Sequence, residues 1–375
     1  MRLTRRQWLA VLAWSALPAG AHAALPPDAA GGQGPRYLSA RRRRGRYEAV
    51  VVDAQGRDLL AVPMPDRGHS FAIDAPRGRA VAFGRQPGFF AVAFDLRGRQ
   101  APQALASAEG RHFFGHGAFD AAGARLYATE NDYENGRAVL GVYDAAPGAG
   151  YARIGEIDVG GVGAHEVILL RDGRTLCVAN GGILTHPDYG KLELNPDSMR
   201  PSLAYVDAPS GRLIERIELG ADLRKLSVRH LAQAGDGSVW FGCQHVGPRH
   251  ERPPLVGRHR PGADAQLFEG KPGTTRALEN YIGSVAVGSD GRTVATSSPV
   301  GGRVVFWDAA TGKELGQAAL FDGCGIAPDG AGRFLFTSGS GAMQRVDPAG
   351  VQGTVLPADE ELAWDNHLRP VPDAS

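Results

Sequence analysis

Histidines recur at one kind of position along this 375-residue chain. Five of them stand where a short polar or glycine-containing loop leads into an apolar segment. Imidazole is a good ligand for copper, iron and zinc, and several imidazoles that converge on one point can hold such an ion. The candidate metal ligands are these five, His69, His116, His165, His230 and His367, together with His186 from a separate glycine-rich loop.

Charged side chains beside these histidines allow a second kind of chemistry. Glu166 follows His165, Arg229 precedes His230, and Asp132 lies in the segment TENDY. The two carboxylates are further candidate ligands, or they could act as general acid and base while Arg229 holds an anionic substrate. No nucleophile motif such as Gly-x-Ser-x-Gly is found in the sequence. A metal site and a metal-free catalytic site both stay open.

Two alternating turn motifs predict the elements that position these side chains. One is a glycine turn followed by an alternating strand, as in RDGRTLCVAN from Arg171. The other is an apolar strand that ends in Asp before a glycine turn, as in VFWDAATGK, which ends at Lys313. Glycine supplies the positive φ that such turns need, and aspartate accepts backbone N–H bonds. One turn of each kind in every roughly 40 to 60 residues predicts four-stranded antiparallel sheets around a ring, a β-propeller.

The blades can be counted from the same motifs, and the count predicts an all-β, seven-bladed propeller. The segment from Tyr37 to Val62 offers strands without an inner strand before them, so it should join the C-terminal stretch to complete blade seven. Innermost strands are predicted to begin near His69, His116, His165, His230, Ser284, Cys324 and Trp364.

This topology places the loops into all inner strands on one side of the ring. Five of the seven blades would then present a histidine at the mouth of the central channel. For any single histidine, a structural imidazole that pairs with a turn aspartate is the alternative. The five differ in their flanking residues, which favours a shared ion over a repeated structural role.

The N-terminal residues predict export. Arg5 and Arg6 precede an apolar stretch too short to span a bilayer, and a small-residue cleavage site ends at Ala23. The pattern indicates a twin-arginine signal peptide over residues 1–23, a flexible segment over 24–36 and a single propeller domain over 37–370. The mature protein is expected in the periplasm, without a membrane span.

Charge and cysteine content limit which binding partners and which cysteine chemistry are expected. The chain has 41 basic and 40 acidic residues, so no general attraction to nucleic acid is expected. Three cysteines, Cys177, Cys243 and Cys324, lie in apolar segments without metal-type or redox-type spacing and are interpreted as buried thiols.

Several segments together resemble a family of uncharacterised bacterial propellers exported by the twin-arginine route. They include GHG at Gly115, TENDY at Thr129, GVYD at Gly141, ANGGILTHPD at Ala179 and NYIGS at Asn280. These proteins are similar in shape to the β-chain of quinoprotein amine dehydrogenases and to YVTN-type repeats. Their usual occurrence beside imelysin-type periplasmic proteins implies a role in acquiring iron or another metal.

The main hypothesis is a periplasmic propeller that binds iron, copper or zinc and assists iron or copper handling. An imelysin-like metal-uptake protein or a cytochrome is the expected partner. Two alternatives stay open: a propeller-type hydrolase or dehydrogenase acting on a small polar substrate, and a module that only docks a partner.

Overall fold

A computed structural model describes residues 34–190, 192–330 and 332–372. These residues form 28 strands in seven sheets, each of four antiparallel strands, and almost no helix. The prediction of an all-β, seven-bladed propeller is thus confirmed. The predicted signal peptide and residues 24–33 of the segment after it lie outside the described residues.

The blades are numbered by their inner strands in chain order, and each is given from its innermost strand outwards. Blade 1 contains β4 (Gly68–Asp74), β5 (Arg79–Gly84), β6 (Phe90–Asp95) and β7 (Gln103–Ala106). Blade 2 contains β8 (Arg111–Phe119), β9 (Arg125–Asp132), β10 (Arg137–Asp144) and β11 (Ala152–Asp158). Blade 3 contains β12 (Ala164–Leu169), β13 (Thr175–Asn180), β14 (Ser202–Asp207) and β15 (Arg212–Glu218). Blade 4 contains β16 (Leu226–Gln233), β17 (Val239–His245), β18 (Val256–His259) and β19 (Gln266–Phe268).

The remaining three blades follow the same order. Blade 5 contains β20 (Ser284–Val287), β21 (Thr293–Ser298), β22 (Arg303–Asp308) and β23 (Glu314–Ala319). Blade 6 contains β24 (Gly323–Pro328), β25 (Phe334–Ser338), β26 (Met343–Val346) and β27 (Gln352–Leu356). Blade 7 contains β28 (Leu362–Val371), β1 (Arg36–Arg43), β2 (Arg46–Asp53) and β3 (Asp58–Pro63). The described helical turns are α1 (Thr274–Ala277) and the 3₁₀ turns Ala75–Arg77, Pro187–Tyr189 and Ala221–Leu223.

The turn motifs act as their residue types require. After β22, Asp308 accepts hydrogen bonds from the Thr311 amide and hydroxyl, and Gly312 has a φ of 73°. Between β12 and β13, Asp172 accepts from the amides of Arg174 and Thr175. Each turn therefore reverses the chain with its amides satisfied, which keeps consecutive strands in register.

Blade 7 closes the ring by joining distant parts of the chain. Strand β28 pairs antiparallel with β1, with Arg41 opposite Trp364 and Ser39 opposite Leu368. The predicted closure of blade seven by N- and C-terminal strands is confirmed. Because β28 is the innermost strand, the C-terminal segment contributes directly to the channel wall.

Apolar cores lie between neighbouring blades. Between blades 5 and 6, for example, Phe306 packs with Phe334 and Phe336 in one buried cluster.

The three cysteines are free and buried, as predicted, and burial raises the pKa of the Cys177 thiol to about 12. No helix among the described residues is long and apolar enough to cross a membrane.

Candidate metal centre

Five inner strands carry a histidine at an irregularity of the strand itself. We call His69, His116, His165, His230 and His367 the histidine cluster. The pairing of each of these strands with its neighbour shifts at or beside the histidine, for instance between Phe113 and Gly117 in β8. Such a bulge changes the direction of a side chain that would otherwise follow the alternation of the strand. The other shifts lie between Gly68 and Phe71, Ala164 and Glu166, Val228 and His230, and Trp364 and Leu368.

The bulges bring the five imidazoles together in the channel. The ring centroids of His69 and His367, and of His116 and His367, are 4.7 Å apart. Those of His165 and His230 are 4.9 Å apart. All five residues are 1–8% exposed. The sequence predicts these histidines where the loops enter the inner strands, at the mouth of the channel; in the structure they lie within those strands and are buried.

Two sets of three histidines have metal-ligand spacing. One nitrogen from each of His69, His116 and His165 lies within 4.8 Å of the others, and the same holds for His116, His230 and His367. A metal–nitrogen bond is about 2 Å long, so nitrogens around one ion are separated by about 4 Å or less. The three nitrogens of each set would have to move closer together to bind one ion. His116 belongs to both sets and is the centre of the arrangement.

Two buried carboxylates lie beside three of the rings and are within hydrogen-bond distance of two of them. Asp365 Oδ1 lies 3.3 Å from Nδ1 of His69, and Glu166 Oε2 lies 3.3 Å from Nδ1 of His230. Glu166 Oε1 is 3.7 Å from Nδ1 of His116. A carboxylate at Nδ1 favours the tautomer with its proton there and leaves the Nε2 lone pair free. Carboxylates play this part behind the histidine ligands of metal sites.

Electrostatics keep the carboxylates charged and the imidazoles neutral. Burial opposes ionisation of Glu166, but the Arg369 guanidinium overcomes it and holds the pKa of that carboxyl well below its usual range. Asp365 likewise has its pKa lowered to about 2, where hydrogen bonding to His69 and the charge of Arg67 outweigh burial. Burial lowers the pKa of every imidazole in the histidine cluster. Neutral imidazole is the form that binds a metal.

Several nitrogens of the cluster have no hydrogen-bond partner within residues 34–372 as the structure describes them. They are Nε2 of His116, Nδ1 of His165, Nε2 of His230 and both ring nitrogens of His367. An unsatisfied buried polar atom costs about 1–3 kcal/mol, so native proteins contain few of them. A cation among these nitrogens would satisfy several at once. The donor set therefore fits a transition metal such as iron, copper or zinc.

Two cavities reach the histidine cluster. One, of 390 Å³, is lined by His116, Glu166 and Arg369 together with apolar residues that include Phe71. The other, of 320 Å³, is lined by three cluster histidines, His69, His165 and His230, and by arginines and amides. The cluster is therefore buried yet adjacent to space for a small molecule.

The structure separates two candidate residues from the cluster. His186 makes an edge-to-face contact with Tyr133, with ring centroids 5.0 Å apart, and its Nδ1 accepts a hydrogen bond from the Asp188 amide. Asp132 is 2.8 Å from Arg111 and 2.7 Å from Arg137. Burial opposes ionisation of its carboxyl, but hydrogen bonds from Asn135 and Arg137 and the charge of Arg111 lower its pKa. Of the catalytic candidates, Glu166 lies in the cluster and Arg229 lines the 320 Å³ cavity.

Sequence reasoning missed three residues of the site. Asp365 and Arg369 flank His367 on β28, where Asp365 supports His69 and Arg369 holds Glu166. Arg85, at the end of the β5 region, lines the 320 Å³ cavity. The Asp-x-His spacing of β28 was a usable signal for Asp365. Arg85 and Arg369 carry no local pattern that separates them from the other arginines.

Comparisons with known proteins agree with the fold and leave the chemistry open. A family model described as "Protein of unknown function (DUF1513)" matches residues 62–371. No curated protein matches the chain. Among solved structures, a chain of hydrazine synthase from Kuenenia stuttgartiensis is similar, with a TM-score of 0.57 and 14% identity. The match covers 78% of this chain and 88% of that one. At this identity the likeness shows the propeller fold alone.

Proposed function

Since this chain belongs to the family described as "Protein of unknown function (DUF1513)", its chemistry must be argued from its own site, and we propose that it binds a transition metal. The histidine cluster would supply the ligands. Two overlapping sets of three nitrogens are available, and His116 is common to both. Asp365 and Glu166 would orient the rings from behind.

The observation that carries this proposal is the group of unpartnered imidazole nitrogens. A purely structural imidazole in a protein interior normally has its nitrogens hydrogen bonded. Here five nitrogens from four histidines have no partner among the described residues. Burial also keeps these rings neutral, which removes the competition between a proton and a metal ion.

The donor set indicates the class of metal. Imidazole suits copper, iron and zinc, whereas magnesium and calcium prefer oxygen ligands. The cysteines do not contribute, since no cysteine belongs to either ligand set in the described part of the chain. We propose that the protein assists the handling of iron or copper, and zinc is the alternative that the experiment below distinguishes.

The proposed role extends to the location and the partner. The paired arginines and the apolar stretch at the N-terminus support export by the twin-arginine route to the periplasm. There, the protein would exchange metal with an imelysin-like uptake protein or electrons with a cytochrome. Both partners are proposals that rest on the sequence resemblance.

Elemental analysis of the purified protein tests the central claim. Protein from cells grown with iron, copper and zinc should contain about one transition-metal ion per chain or more. His116→Ala removes a ligand from both sets and should abolish most of the metal, and His165→Ala should lower it. His186→Ala is the matched control, since this histidine lies outside the cluster and its loss should leave the metal content unchanged.

Circular dichroism of each variant separates loss of metal from loss of fold. A folded His116→Ala protein without metal supports the proposal. Wild-type protein that stays free of metal under replete growth, or a His116→Ala protein that retains its full metal content, would overturn it.

A further inference from the structure

The 320 Å³ cavity beside the histidine cluster has the chemistry of an anion site. We infer that it binds a small carboxylate, which would approach the metal of the proposed function. Its walls combine cations, amides and a phenol with apolar surface from Phe114 and Ile183. Besides three histidines of the cluster, its polar lining residues are Arg85, Arg229, Gln86, Gln244, Tyr281, Thr185, Asn366 and the carboxylate Glu193.

Arg229 is the first observation behind this inference. It lies at the bulge of β16, and its Nε is buried without a hydrogen-bond partner. Within the described ranges, Arg229 forms no ion pair within 4 Å, although Glu193 lines the same cavity. The Arg229 side chain is half-buried in the cavity wall, so an anion that enters the cavity would supply the counter-charge that no carboxylate within 4 Å provides among the described residues.

Arg85 supplies a second cation that is only partly compensated. Its Nη1 is 3.7 Å from Asp365 Oδ1 and makes no hydrogen bond. Asp365 is already held by the closer Arg67, whose Nε donates to Oδ2. In the described part of the chain, Arg85 thus shares Asp365 with Arg67, and Glu193 lines the cavity without pairing with Arg229 within 4 Å.

The dimensions and donors favour a small carboxylate. Ligand sites for small molecules usually begin at about 300 Å³, so this cavity admits a compact molecule only. The planar fork of a guanidinium matches the two oxygens of a carboxylate. Three histidines of the cluster line the same cavity, so an anion on Arg229 would lie beside the proposed metal ligands. Carboxylate oxygen is also a common ligand of iron, which links the two sites chemically.

Titration calorimetry with malonate on the metal-free full chain tests this inference. Wild-type protein should bind malonate in a carboxylate-free buffer. Because a hydrogen bond to a charged group is involved, Arg229→Gln should weaken binding by about 10–100-fold, and Arg85→Gln should weaken it by several-fold. Arg212→Gln is the control, since Arg212 is an exposed residue on the outer strand β15 and should not affect binding.

The outcomes distinguish this inference from the metal proposal. Malonate binding that depends on Arg229 would support the anion site whether or not elemental analysis finds metal in the purified wild-type protein. Absence of malonate binding, or equal affinity in Arg229→Gln, would overturn the anion site even if metal is found. Sulfate that binds as tightly as malonate would overturn the assignment to a carboxylate. Arg229→Gln should retain its metal content, which shows that the variant still folds.

Discussion

Burial decides whether a histidine in this protein carries a proton. His112, outside the histidine cluster, shows the effect most simply, because it is 1% exposed and hydrogen bonded at both nitrogens. Nδ1 lies 3.0 Å from the Phe113 carbonyl, and Asn131 Nδ2 lies 3.3 Å from Nε2. The imidazole therefore donates at Nδ1 and accepts at Nε2, which is the neutral form. Burial lowers its pKa from 6.5 to about 4 although the bond to Phe113 opposes this.

This shift predicts how stability depends on pH. The unfolded chain takes up a proton on residue 112 near pH 6.5, but the folded protein does so only near pH 4. The stabilisation is therefore complete above pH 6.5 and is lost as the pH falls to 4, by up to about 3 kcal/mol. His112→Phe keeps the stacked ring and removes the titrating group. In urea unfolding of metal-free protein between pH 7 and 4.5, the variant should lose less stability than the wild type.

A comparison above pH 7 serves as the reference for this measurement, because residue 112 is neutral there in both states. Identical pH dependence of the two proteins between pH 6.5 and 4.5 would show that His112 is protonated equally in both states. The assignment of its buried, neutral form would then be wrong.

Individual residues differ in how well the sequence reveals them. His69, His116, His165, His230 and His367 could be selected because each recurs at the same place relative to an inner strand. The repeat thus predicts that histidines far apart in the sequence lie close together, which no single histidine could indicate. Arg369 and Glu166 are 203 positions apart, and nothing in either local sequence predicts that they meet.

Among the elements, the inner strand β8 shows how a bulge and a glycine place one imidazole. Gly115 has a φ of 105°, which L side chains rarely adopt, and lies in the interval where β8 loses register with β9. A Cβ atom at this position would lie 2.5 Å from Cδ2 of His69. The glycine therefore permits the close approach of β8 to the histidine of the neighbouring blade.

Gly115→Ala should consequently damage both the fold and the site. We expect a loss of about 1–3 kcal/mol in the free energy of unfolding, because the backbone is strained and His69 must move. Metal content should fall as His69 leaves its position. Denaturant unfolding and elemental analysis measure the two effects.

Gly155→Ala is the matched control on the outer strand β11. This glycine has no positive φ, and a Cβ there would meet nothing within 4 Å. Its replacement should be neutral or slightly stabilising. Equal stability of the Gly115 and Gly155 variants would contradict the role of Gly115.

The elements were predictable in number and order, but the irregularities within them were not. Turn motifs such as RDGRT and DAATGK mark where strands reverse, and glycine at positive φ has few other uses there. A bulge depends on how two strands pair, and alternation within one strand does not specify that pairing. This is why the sequence indicated only that the histidines lie near the start of inner strands, whereas the structure shows them at bulges within those strands.

In the whole molecule, metal binding should be linked to folding. The five histidines come from blades 1, 2, 3, 4 and 7, so the unfolded chain cannot present them together. A ligand that binds only the folded state stabilises it, by about 2.7 kcal/mol when its concentration is 100 times the dissociation constant. Metal should therefore raise the urea midpoint of the wild type. Metal should leave the urea midpoint of His116→Ala nearly unchanged. Equal shifts of the midpoint in the two proteins would show that the metal binds outside the histidine cluster.

The position of β28 also determines when each set of ligands becomes available on the ribosome. His69, His116 and His165 belong to three consecutive blades, so their set is complete in sequence long before translation ends. The second set must wait for His367, which follows every other cluster histidine. A nascent chain could thus bring His69, His116 and His165 together early. The second set of ligands is complete only after the final strand, β28, has been synthesised.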